Sequence, residues 1–151
     1  MTRLPVVASA LLLGALAMPV SVKAKACENV RGTLVFHSTG PDSFESVLTG
    51  DLEGILVGTN FQIVKVGDDG TLHGVVDHEI ITARGTFHTF ADVVLSPTGP
   101  GLYHTSERNF FLPGGTGDFE GATGTLLIQA SADFNIGEGS GFYHGRICTG
   151  E

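Results

Sequence analysis

The apolar residues beyond position 26 recur at every second position or in short runs, and no stretch holds them at sustained spacings of three and four. A period of two belongs to strands, because successive side chains of an extended backbone leave on opposite faces. The runs are rich in Val, Ile, Thr and Phe, which suit a pleated surface. They define about eight candidate strands at residues 32–38, 44–51, 54–66, 71–81, 85–96, 102–111, 125–134 and 141–148. Turn residues separate them at 39–42, 67–70, 97–101, 113–115 and 137–139, and such short connections join antiparallel neighbours. The expectation is an all-β chain, and its length of 151 residues suits a single domain.

Eight antiparallel strands can close into a barrel or stack as a sandwich. Gly54, Gly58, Gly74, Gly85 and Gly145 fall within or at the ends of the strand-like runs. Glycine weakens a flat strand but permits the coiling that closure requires. The reading is therefore one eight-stranded antiparallel barrel, just wide enough to be filled by side chains or to hold one small ligand.

Residues 4–20 are almost entirely apolar, follow Arg3, and lead through Lys23-Ala24-Lys25-Ala26 to Cys27. This pattern reads as a secretory signal peptide over 1–26, cut after Ala24 or Ala26, with the barrel domain over 27–151. Pro5 and Pro19 leave too short an uninterrupted stretch for a span of roughly 20 residues, so no stable membrane insertion is expected after cleavage. Taking Arg3, Lys23 and Lys25 from the 8 basic residues leaves 5 against 16 acidic ones, a net charge of −11. Such a surface repels phosphate backbones and anionic headgroups, which argues against nucleic acid as a partner. A secreted or periplasmic chain meets an oxidising compartment, where Cys27 and Cys148 are expected to pair and pin the two ends together. The alternative, a lipidated Cys27, fits Lys25 poorly and leaves Cys148 alone.

The segment Gly114-Gly115-Thr116-Gly117-Asp118-Phe119-Glu120-Gly121-Ala122-Thr123-Gly124, followed by the strand at 125–129, resembles the segment near the C-terminus of allene oxide cyclases. A related glycine-phenylalanine-glycine pattern occurs in dirigent proteins, and residues 48–52 carry a weaker echo. The resemblance implies an eight-stranded barrel that holds an apolar, reactive molecule and steers its ring closure or coupling without an organic cofactor. Conformational control of that kind needs one near-attack conformer more than an acid or base. Physically the motif reads as structural: Gly115, Gly117, Gly121 and Gly124 form a tight corner at positive φ while Phe119 plugs one end. The families' catalytic residues lie outside the matched segment, so none is carried over.

The glycine cluster lacks the Lys-Ser/Thr ending of a phosphate-binding loop, and its single copy does not make a calcium-binding repeat. The six histidines, His37, His73, His78, His88, His104 and His144, include no pair one residue apart on a strand, so no metal is expected. On the fourth strand His78 shares a face with Leu72, Val76 and Ile80, which points it inward. On the sixth, alternation sets Tyr103, Thr105, Glu107, Asn109 and Phe111 against Leu102, His104, Ser106, Arg108 and Phe110 without settling which face is inward, and the former is taken as the inner one. There a carboxylate would have a raised pKa and could exchange a proton near neutrality; otherwise Glu107 is a surface residue beside Arg108. Tyr143 could offer its hydroxyl to a ligand. His78, Tyr103, Glu107 and Tyr143 are therefore the candidate ligand-binding residues, and no catalytic residue is assigned.

Three functions fit these residues. The first is a barrel that binds an apolar small molecule and directs its cyclisation or isomerisation; the second is a non-catalytic carrier using the same cavity, as lipocalins do. The third is a filled structural barrel whose apolar outer wall makes a homo-oligomer.

Overall fold

The computed structural model describes residues 25–150, so the leader expected at 1–26 lies, but for its last two residues, outside the described residues. Eight strands follow one another: β1 Ala26–Gly40, β2 Ser43–Gly50, β3 Gly54–Val66, β4 Leu72–Thr82, β5 Gly85–Gly99, β6 Leu102–Phe111, β7 Thr123–Asp133 and β8 Glu138–Thr149. Each pairs with the next in antiparallel register, and β8 pairs with β1, so the sheet is a closed barrel. The ladder of every inner strand is thereby completed without leaving two open sheet edges.

Alternation decides which residues are inside. Val30 and Leu34 of β1, Leu48 of β2, Leu56 of β3, Val76 and Ile80 of β4, and Leu126 and Ile128 of β7 are buried two or four residues apart. Their sequence neighbours point to the outer wall, where Val35, Val47, Ile81 and Phe142 remain exposed. β3 and β6 have the bounds expected from the sequence. β1 begins six residues before its expected start, because 26–31 pair with β8 through their backbones although only Val30 among them is buried. At 137–139 the expected turn is corrected: Glu138 and Gly139 already belong to β8 and pair with β1 and β7.

The two ends of the barrel differ. The β2–β3, β4–β5 and β6–β7 connections and both chain ends share one pole, and there a single helical turn at Gly117–Phe119 drops Phe119 into the barrel with no exposed surface. Phe119 meets Phe87 at 4.7 Å, and Phe87 stacks on Phe111 at 5.0 Å. Gly115, Gly117, Gly121 and Gly124 have φ of +110°, +59°, +67° and +150°, the left-handed region that glycine enters without a steric penalty. At Gly117 a β-carbon would also collide with the Arg84 carbonyl, so the plug sits against β5 only because that side chain is missing. Arg84 covers the plug, 5.1 Å from the Phe119 ring, and pairs with Glu28 at 2.7 Å and Asp118 at 3.2 Å. At the same pole a disulfide joins Cys27 to Cys148, directly opposite one another on β1 and β8.

Candidate functional site

The other pole, formed by the four hairpin tips, is open. A cavity of about 320 Å³ enters between the β1–β2 turn at Gly40 and Pro41 and the β7–β8 turn at Phe134 and Gly137. That volume lies at the lower end of the range for small-molecule sites. Leu34, Phe36, Phe44, Leu56, Phe61, Val93, Leu95 and Ile128 make its wall, with the hydroxyls of Ser38, Ser43, Ser46 and Thr105 among them. Two wall rings depend on missing side chains. A β-carbon at Gly139 would collide with the Phe36 ring, and one at Gly58 with the Phe44 ring. The glycines thus let aromatic faces lie flat on the strand, and the space beyond the rings remains empty.

Glu107 is the one charged residue in the lining, and it comes from the inner face of β6 as expected. Its side chain is 12% exposed, and the surface position beside Arg108 is excluded. Beneath it lies a sealed polar group. His78 Nδ1 and Thr89 Oγ1 both bond Asn109 Oδ1, at 2.8 and 2.7 Å, and all three residues are buried. Because that oxygen can only accept, His78 donates from Nδ1 and its Nε2 carries a lone pair. This lone pair faces Glu107 Oε2 across 3.6 Å, too far for a hydrogen bond. Both atoms are buried and unpaired, as is Asn109 Nδ2.

Burial acts on both groups in the direction that disfavours charge. It pushes the Glu107 carboxyl up to about 7 and the His78 imidazole down to about 4, the Asn109 hydrogen bond and nearby Asp77 opposing it for the histidine. Near neutrality the imidazole is therefore uncharged and the carboxyl is divided between its protonated and charged forms.

The candidates separate by position. Glu107 lines the cavity; His78 lies just behind, under the edge of the Phe44 ring at 5.7 Å. Tyr103 packs at a tilt, 5.1 Å between ring centres, against Phe134, which lines the mouth, but Tyr103 is not itself in the lining. Tyr143 requires a correction. Its hydroxyl donates to the Thr49 carbonyl and accepts from the Leu52 amide, both at 2.8 Å, tying β8 to the β2–β3 turn, and it does not reach the cavity. The other five histidines also lie outside the lining, and among the described residues no three His, Cys, Asp or Glu side chains converge as metal ligands. Sequence reading passed over Phe36, Phe44, Thr89 and Asn109 as site residues. Asn109 stood on the same face as Glu107, and a buried amide two residues from a buried carboxyl was the available signal.

No protein-family model matches this chain, and no curated protein matches it. Among solved structures it is similar to a pterocarpan synthase dirigent protein, with 16% identity over 93% of this chain and 98% of the other, and a TM-score of 0.37. A likeness of that size carries no chemistry from one barrel to the other.

Proposed function

We propose that this protein is an exported small-molecule-binding barrel whose open cavity takes one apolar guest and orients it by a single polar contact to Glu107. The observation that carries the reading is a wall mostly of aromatic and aliphatic side chains in which one carboxyl group is the single ionisable residue. Apolar area gives such a site its affinity and a few placed polar groups give it orientation. Export is supported by the Cys27–Cys148 disulfide, a bond that persists in oxidising compartments, and by the apolar leader read from the sequence. A second reading, steering of ring closure, draws on the same wall: rings on two sides of a flexible guest restrict it to few conformers. The filled-barrel reading is disfavoured by the cavity. The outward row of Val35, Val47, Ile55 and Ile81, register neighbours across β1 to β4, supports a homo-oligomer.

The test is binding of the neutral fluorophore N-phenyl-1-naphthylamine to the mature disulfide-bonded protein, beside native mass spectrometry of protein from its own host. Ala132→Phe fills the lining from β7 and should abolish the fluorescence gain and remove any copurified molecule. An unchanged response in that variant would place the fluorophore elsewhere and reject the interior site.

A further inference from the structure

The floor of the cavity joins two features that a passive container does not need. One is a carboxyl group in contact with the guest space; the other is an imidazole directly behind it that the guest cannot touch. Their facing atoms are buried, unpaired and 3.6 Å apart. Native interiors seldom leave such atoms without partners, and each exception calls for an explanation.

We propose that Glu107 is a general base that removes a proton from carbon in an apolar guest and returns it to a second carbon, with His78 as its positioning residue. This rests on the reading that the cavity takes an apolar guest. The groups facing Glu107 supply the reason. β5 and β7 place Val93 and Ile128 beside it, β1 contributes Leu34 and Phe36, β3 Leu56 and Phe61, and β2 Phe44 with the neutral hydroxyl of Ser46. The Tyr143 hydroxyl on β8 is engaged elsewhere. His78 on β4 is the one titratable group aimed at it, while Asp92 and Arg108 occupy the outer face. A carboxylate without a cation or a water shell is a stronger base than one in solvent. Thr89 and Asn109 hold the His78 tautomer so that Nε2 only accepts. The protonated carboxyl is then drawn toward Nε2, which sets its plane and keeps the proton within the site between the two halves of the reaction.

The step is balanced within the guest. The carboxylate takes a proton from a carbon beside a carbonyl, the C–H electron pair enters the conjugated system as an enolate, and Glu107 becomes the acid. Delivery of that proton to the far carbon restores the carboxylate and shifts the double bond. The substrate class is thus an apolar unsaturated ketone or ester, and the net reaction is an isomerisation.

The probe is 5-nitrobenzisoxazole. A base removes its ring C–H proton, the N–O bond breaks, and the oxygen departs as a coloured phenolate with no co-reactant. Wild-type protein should accelerate this elimination, with a rate that rises through one ionisation near neutral pH. Glu107→Gln should lower the rate by about 100-fold or more, the usual contribution of a positioned base. His78→Gln should lower the plateau rate several-fold, because the carboxyl loses the group that sets its plane, and should move the midpoint down by about one pH unit, because the acid form loses its acceptor and the amide can donate to the carboxylate. An unmoved midpoint in a folded His78→Gln protein would remove the positioning role. N-phenyl-1-naphthylamine titrations accompany each variant. No fluorophore binding by the wild type would refute the guest reading itself. Binding by all variants, with the probe unchanged by the wild type or consumed equally by Glu107→Gln, would overturn the base while leaving that reading intact.

Discussion

Glu107→Gln keeps the size of the side chain and removes its ionisation, so it reads how strongly the barrel opposes the charge. A carboxyl raised from 4.5 to about 7 binds its proton more tightly in the folded chain than in the unfolded one. Wild-type stability is therefore undiminished by this group below about pH 4.5, falls between about 4.5 and 7, and carries the full cost above. At about 1.4 kcal/mol per pH unit the cost is about 3 kcal/mol, an upper bound because part of the side chain meets the cavity. His78 acts in the opposite sense. Its pKa is lowered from 6.5 to about 4, so the stability it contributes is present above about pH 6.5 and is lost as pH falls toward 4. In the wild type the two slopes oppose each other; in Glu107→Gln the histidine slope stands alone. Urea unfolding of both disulfide-bonded proteins at about pH 4, 6 and 8 should show the variant gaining up to about 3 kcal/mol on the wild type at the highest pH relative to the lowest. A difference that does not change across the three pH values would refute the desolvation argument for Glu107.

Tyr143→Phe leaves the Leu52 amide and Thr49 carbonyl unpaired and should cost roughly 2 kcal/mol in urea unfolding, with N-phenyl-1-naphthylamine affinity unchanged. Gly58→Ala should push the Phe44 ring into the cavity, weaken the fluorophore about tenfold by titration, and cost about 1 to 3 kcal/mol. Replacing both cysteines by serine opens a crosslink spanning 121 residues and should lower stability by about 4 kcal/mol in guanidinium unfolding, with the cavity still binding.

The barrel was legible because its signals are local. Short runs rich in Val, Ile, Thr and Phe end at turn residues, and Gly114 to Gly124 announces a corner made at positive φ. Strand ends were less legible, since 26–29 and 138–140 are held by backbone pairing and carry no buried side chain. At the site, the period of two pointed His78 inward but left the inner face of β6 open, and it does not say how far along the axis an inward residue sits. Depth separates Glu107, which meets the cavity, from Tyr143, which is spent on a turn near the closed pole. Phe36 and Phe44 were hidden for another reason: a ring that lies against the wall depends on glycines in neighbouring strands, Gly139 on β8 and Gly58 on β3, a pairing visible only once register is known.

The staple between β1 and β8 sits at the pole plugged by Phe119, while the hairpin tips at the opposite pole bear neither staple nor plug. The fastening and the opening are thus housed at different latitudes of one cylinder. The rim can be rewritten, in nature or by an engineer, to reshape the cavity mouth without loosening the fastening that keeps the cylinder shut.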